Sequence, residues 1–250
     1  LFRSRLRGCW RLLRVLLHGL HGLMLAWWLF PRLQDGQREV HVAAWSGKML
    51  RVLGLRQQVQ GRFEAGAKLV VANHISWLDI MAIHAVCPQA RFVSKADVQQ
   101  WPLLNRLVSA AGTLYIQRES RRDALRVVQQ MAAALKAGDT VAVFPEGTTG
   151  DGHALLPFHA NLLQAAIVTA TPVQPVVLRF SDSKHAISPA AQFLGDTTML
   201  QSLWMLACGQ GMVVSLNVLP LQATEHADRR ELAELLRGQI GMGLHREPFE

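Results

Sequence analysis

The stretch "VVANHISWLDIM", Val70 to Met81, decides how the chain is read. An apolar run ends on Asn73, His74 follows, and Asp79 comes five positions later. On one continuous helix five residues turn the chain by about 500°, which leaves the two side chains roughly 140° apart. They meet only if a strand stops before His74 and a helix begins after it. A strand over Lys68–Ala72, a turn at His74 and a helix over Trp77–Val86 let Asp79 point back at the imidazole. A carboxylate on one ring nitrogen fixes the tautomer and leaves the other nitrogen as a base. The spacing alone is short and common, and a capping Asn or Ser beside an incidental histidine gives the same letters.

Working outward, the alternation of apolar run and helical stretch repeats. Strands are expected at Arg91–Ser94, Thr113–Gln117, Thr140–Phe144, Val173–Phe180 and Met212–Leu219. Helices are expected at Asp97–Ala110, Arg121–Lys136, His159–Thr169, Thr198–Cys208 and Asp228–Leu244. Ser120 with Asp123 resembles a capping box, and Gly138 suits the end of the same helix. This order predicts an α/β fold with a mixed, largely parallel sheet flanked by helices. One domain is expected over residues 34–250, with residues 1–33 set apart.

That N-terminal segment is basic and then apolar. Arg3, Arg5, Arg7, Arg11 and Arg14 precede or enter "LLRVLLHGLHGLMLAWWLF", Leu12 to Phe30. As a helix this stretch is roughly 28 Å long, close to a bilayer core of about 30 Å. Trp27 and Trp28 fall where interface aromatics belong, and no small-residue cleavage site stands there. Arg14, His18 and His21 argue against a clean lipid-facing span. The segment is read as a membrane-associated helix, drawn to the cytoplasmic leaflet by anionic lipids.

The composition agrees. The chain has 250 residues, 50% of them hydrophobic, and a formal net charge of +8. A basic balance suits a membrane surface, nucleic acid or an acidic protein. Nucleic acid is the weakest of these, because the arginines cluster beside an apolar helix without a reading motif. Cys9, Cys87 and Cys208 form no CxxC pair. Neither a disulfide framework nor a metal site is expected.

Three further stretches bear on the chemistry. "VAVFPEGTTG", Val141 to Gly150, puts Pro, Glu and two glycines directly after an apolar strand, so that backbone and hydroxyls can approach a polar ligand. Glu146 at the end of such a strand is costly unless paired or useful. "GTLYIQR" ends a strand on Arg118, and "TPVQPVVL", Thr171 to Leu178, is a strand punctuated by proline. Lys95 follows a strand and is a candidate phosphate contact.

In their order and spacing, these motifs resemble the glycerolipid acyltransferases, the group that includes bacterial 1-acyl-glycerol-3-phosphate acyltransferases. The resemblance covers roughly residues 40 to 220. It implies a general base at His74, oriented by Asp79, that activates the acceptor hydroxyl for direct attack on an acyl thioester. It also implies that Arg118, Glu146, Gly147 and Thr148 hold the acceptor head group. An imidazole is the usual remedy for a weakly nucleophilic alcohol. No cofactor is implied. The co-substrate is acyl-CoA or acyl carrier protein, the acceptor a lysolipid, and 1-acyl-sn-glycerol-3-phosphate the first expected acceptor.

Two departures bear on that acceptor. Many relatives of this kind read FPEGTRS and LPFKKG, whereas this chain has Thr149–Gly150 and His159–Ala160–Asn161. Arginine and lysine are the natural partners of a phosphate dianion. "FPEGTTGDG" with "GDTTMLQSLW" resembles the lyso-ornithine lipid acyltransferase branch, which makes that lipid the alternative acceptor. Hydrolysis is disfavoured, since no G-x-S-x-G elbow occurs. A silent lipid-binding protein is disfavoured by the presence of both His74 and Asp79.

Overall fold

The computed structural model describes residues 2–95, 104–116 and 121–245. Its centre is a seven-stranded sheet. The strands are β1 (Leu55–Gln60), β2 (Lys68–Ala72), β3 (Ala90–Lys95), β4 (Leu114–Ile116), β5 (Thr140–Val143), β6 (Val173–Ser181) and β7 (Met212–Val218). They lie in the order β1-β7-β6-β2-β5-β3-β4. Every neighbouring pair is parallel except β6 with β7. The mixed, largely parallel sheet expected from the sequence is therefore present.

β2 shows why these residues choose a strand. All five are buried, as a strand covered on both faces requires. Successive side chains alternate between two cores. Val70 and Ala72 join Leu50, Ile83, Leu206 and Leu216 on one face. Leu69 and Val71 join Met131, Leu163, Leu236 and Ile240 on the other. The first face is covered by α2 (Asp35–Leu53), α3 (Leu78–His84) and α7 (Met199–Cys208). The second is covered by α5 (Arg121–Lys136), α6 (Gln164–Val168) and α8 (Arg229–His245). A shorter helix, α4 (Leu104–Ala110), precedes β4.

The expected bounds hold for β2 and α5, and most others shift by one or two residues. The stretch expected as one helix over His159–Thr169 is a 3-10 turn, Ala160–Leu163, followed by α6. Gln117, Ser120 and residues 97–103 of the expected helix lie outside the described residues. Two elements were not expected at all. They are α2 and β1, an edge strand in which Leu55 alone is buried.

The N-terminal helix α1 (Phe2–Met24) continues through a π turn at Leu25–Leu29 and a 3-10 turn at Phe30–Arg32. Its faces are reversed relative to an ordinary surface helix. Leu6, Trp10, Leu13, Leu17, Leu20 and Met24 face outward, as do Trp27 and Trp28 beyond it. Arg7, Arg11 and His18 turn inward, while Arg5, Arg14 and His21 stay exposed. Arg7 donates to the Cys208 carbonyl at 2.9 Å. Arg11 donates to the carbonyls of Ala207 at 3.1 Å and Gly209 at 2.8 Å. These are the orphan carbonyls at the end of α7, where positive charge also meets the negative end of the helix dipole. His18 and Trp45 bond reciprocally, each ring nitrogen to the other's carbonyl, at 2.9 and 3.1 Å. At Gly22 any Cβ would come within 2.6 Å of the Trp45 indole, so only glycine allows this approach of α1 to α2.

Candidate active site

In open α/β sheets ligands bind beyond the carboxyl ends of the strands. Here the ends of β2 and β5 lie side by side, and the two central motifs leave from them. Asn73 manages the departure of the chain from β2. Its amide donates to the Leu178 carbonyl at 2.9 Å and accepts from the Leu178 N–H at 2.7 Å. The side chain thus continues the ladder to β6 while its own backbone turns away.

His74 follows on that turn, and Asp79 lies on the first turn of α3. Nδ1 of His74 is 2.7 Å from Oδ2 of Asp79. The same oxygen accepts the N–H groups of Ile75 at 2.7 Å and Ser76 at 2.9 Å. An oxygen receiving two N–H groups is an acceptor for the ring as well. This places the proton on Nδ1 and the lone pair on Nε2. Asp79 is fully buried and the His74 side chain is 20% exposed. The pair is protected on the carboxylate side and open on the other.

The loop after β5 holds His74 from three directions. The Phe144 ring stacks on the imidazole, with centroids 4.1 Å apart and planes 7° from parallel. Glu146 accepts the His74 N–H at Oε1, 2.7 Å away. Gly150 donates its N–H to the His74 carbonyl at 2.7 Å. The second oxygen of Glu146 accepts the Leu156 N–H at 2.8 Å. Burial pushes the Glu146 carboxyl above its usual range, and the N–H groups of Leu156 and His74 pull it back. Gly147 turns the loop with φ +73°, a conformation in which a side chain would be strained.

His74, Gly147, Thr148 and Thr149 open on a cavity of about 710 Å³. Its walls are mostly apolar. They include Val15, Gly19 and Gly22 of α1, Trp45 of α2, Ile80 of α3 and Leu107 of α4. Among the described residues, no lysine or arginine lines it. The Thr149 hydroxyl donates to the carbonyl of Phe193. Of the expected head-group residues, Glu146, Gly147 and Thr148 thus lie around His74. Arg118 lies outside the described residues, and Lys95 ends β3 by its backbone. Among the described residues no group of His, Cys, Asp and Glu could hold a metal ion.

The sequence reading missed Asn73 and Phe144. The signal for Asn73 was its position between a buried strand and the histidine, where a side chain can imitate a ladder bond. Phe144 carried no such signal, because its role depends on a neighbour 70 positions earlier in the chain.

An arrangement of this kind can take a proton from a hydroxyl at Nε2 beside an apolar chamber. The family model described as Acyltransferase matches residues 55–179. A lyso-ornithine lipid O-acyltransferase of Pseudomonas aeruginosa is 34% identical over 201 residues, 80% of this chain and 76% of that protein. A 1-acyl-sn-glycerol-3-phosphate acyltransferase of Neisseria gonorrhoeae is 36% identical over 175 residues, 69% of this chain and 67% of that protein. The crystal structure of the 1-acyl-sn-glycerophosphate acyltransferase of Thermotoga maritima has the same fold. Its TM-score is 0.68 at 20% identity, over 96% of this chain and all of that one.

Proposed function

Because the chain belongs to the acyltransferase family, we propose that it moves a fatty acyl group from a thioester to the free hydroxyl of a lysolipid, with His74 as general base. The observation that carries this reading is the 2.7 Å contact of Nδ1 with Asp79, which leaves Nε2 at the cavity. The acceptor hydroxyl gives its proton to Nε2 as its oxygen bonds to the acyl carbon. The carbon–sulfur bond breaks, and the thiolate leaves with the proton returned by the imidazolium. Asp79 holds the ring in place while the proton is there. Acyl-CoA and acyl carrier protein both fit this chemistry as donors. The apolar walls suit an acyl chain.

For the acceptor, lyso-ornithine lipid is the first reading. It is favoured by Thr149, whose hydroxyl is tied to a backbone carbonyl, and by the cation-free lining of the described cavity. Lysophosphatidic acid is the second. It is favoured by the Neisseria relative and by Arg118 as a partner for the phosphate. The test is to offer the purified enzyme both lysolipids in vesicles with one labelled thioester and to identify the products by mass spectrometry. Absence of any acylated lysolipid sinks the reading. Preference for lysophosphatidic acid reverses the order of acceptors.

We also propose that α1 lies in the plane of the cytoplasmic leaflet of the inner membrane. Ser4–Arg32 is long and apolar enough to cross a bilayer. Yet its inner face is bonded to α7 and α2 from Arg7 to Gly22, which leaves only the outer face for lipid. Replacing Trp27 and Trp28 by aspartate should release the chain from anionic vesicles in flotation. Undiminished flotation would count against the in-plane helix.

A further inference from the structure

The glutamate of the "FPEGTTG" loop sits where a head-group contact is expected, but its atoms point elsewhere. Glu146 is 5% exposed. Its oxygens receive two backbone N–H groups from different segments, His74 at 2.7 Å and Leu156 at 2.8 Å. Those two amides are the listeners of one carboxylate, and each oxygen has one. With Gly150 N–H on the His74 carbonyl and Phe144 on its ring, the peptide and side chain of His74 are both fixed by the loop after β5.

We infer that Glu146 is a positioning residue, whose carboxylate ties the His74 turn to the Leu156 segment and sets where Nε2 stands, and that it does not bind the acceptor. The inference rests on the reading of His74 as the base. A charged acceptor suits the task because it grips two N–H donors at once, and a charge-assisted bond is shorter and stronger than a neutral one. Glutamine can accept from the His74 N–H, but it then presents an NH₂ to the Leu156 N–H, donor against donor. The link between the two segments is lost while the bulk is kept.

The experiment is a steady-state comparison of the full-length wild type with Glu146→Gln in vesicles, varying the lysolipid at saturating thioester. Misplacing a base by about 1 Å costs on the order of 10²-fold, so kcat should fall by about 10- to 100-fold. The KM for the lysolipid should stay within about threefold, because no acceptor contact is removed. A rise of about tenfold or more in the lysolipid KM would overturn the inference, and so would a kcat within about threefold of wild type. His74→Ala run alongside separates the two failures. Turnover surviving in His74→Ala sinks the base itself. Turnover lost there, with a KM effect in Glu146→Gln, sinks only the positioning role. If Glu146→Gln does not fold, a structure of the wild type with bound lysolipid decides the matter. The carboxylate remaining on His74 and Leu156 supports the inference, and its moving into hydrogen-bond distance of the head group overturns it.

Discussion

Two histidines line the same cavity ten positions apart, one at each end of α3. His74, on the turn before the helix, bonds through Nδ1 to a carboxylate. His84, the last residue of the helix, bonds through Nε2 to the Ala90 carbonyl at 2.9 Å and, among the described residues, has no carboxylate on its ring. Both rest on aromatic rings. His74 stacks on Phe144, and His84 meets Phe92 edge-on at 4.9 Å. Phe92 and Phe144 stack in turn at 5.5 Å, so four rings run in series from one histidine to the other. Burial pushes His84 down to about 4, with the carbonyl opposing. The difference teaches that residue type and cavity address do not make a base. The partner on the second nitrogen does, together with an opening for the first.

The largest expected effect breaks the comparison at His74. His74→Ala should lower turnover by about 10²–10⁴-fold while the fold survives, measured as initial rate with labelled thioester. A rate within tenfold of wild type would remove His74 from the chemistry. Asp79→Asn should lower the rate in the same direction but less, because the ring stays while its orientation and charge support weaken.

The next effect concerns His84 and is one of stability. Unfolded histidine takes up a proton below about 6.5, whereas folded His84 does so only near 4. Between those values the unfolded chain binds more protons, so stability falls as pH falls through this window. At pH 5 the contribution is about 2 kcal/mol. Urea midpoints at pH 7 and pH 5 should therefore differ less in His84→Leu than in wild type. Equal pH dependence in the two proteins would mean that His84 is accessible to water before unfolding.

The smallest effect sharpens the contrast on the acceptor side. Thr149 has a carbonyl for a partner where related motifs carry a cation. Thr149→Arg should raise the use of lysophosphatidic acid relative to lyso-ornithine lipid by about tenfold, as a charge-assisted contact of about 1.5 kcal/mol would. Unchanged relative kcat/KM would show that position 149 does not reach the head group.

What was legible in the sequence was local. β2 could be bounded as a short unbroken apolar run, and α5 because its apolar positions follow the helical period. The His74–Asp79 pair was legible because strand, turn and helix bring residues five apart together. α2 was not, since it shares its buried side among α1, α3 and β1 and so presents no clean stripe. β1 was not, because "RQQVQ" lies on an edge and only Leu55 is buried. Glu146 was flagged as a buried charge in need of partners, but their identity was hidden. One is 72 positions upstream and the other ten downstream, and both are backbone amides, which have no letter in the sequence.

The Phe144 stack has a consequence for spectroscopy. A proton held over the face of a phenyl ring lies in the shielding region of its circulating electrons. His74, 4.1 Å above Phe144 and nearly parallel to it, holds its carbon-bound ring protons there. Exposed His185 has no such neighbour among the described ring contacts. The His74 resonances should therefore stand upfield of the surface histidines in a proton spectrum. That separation lets the charge of this imidazole be followed during turnover apart from the surface histidines.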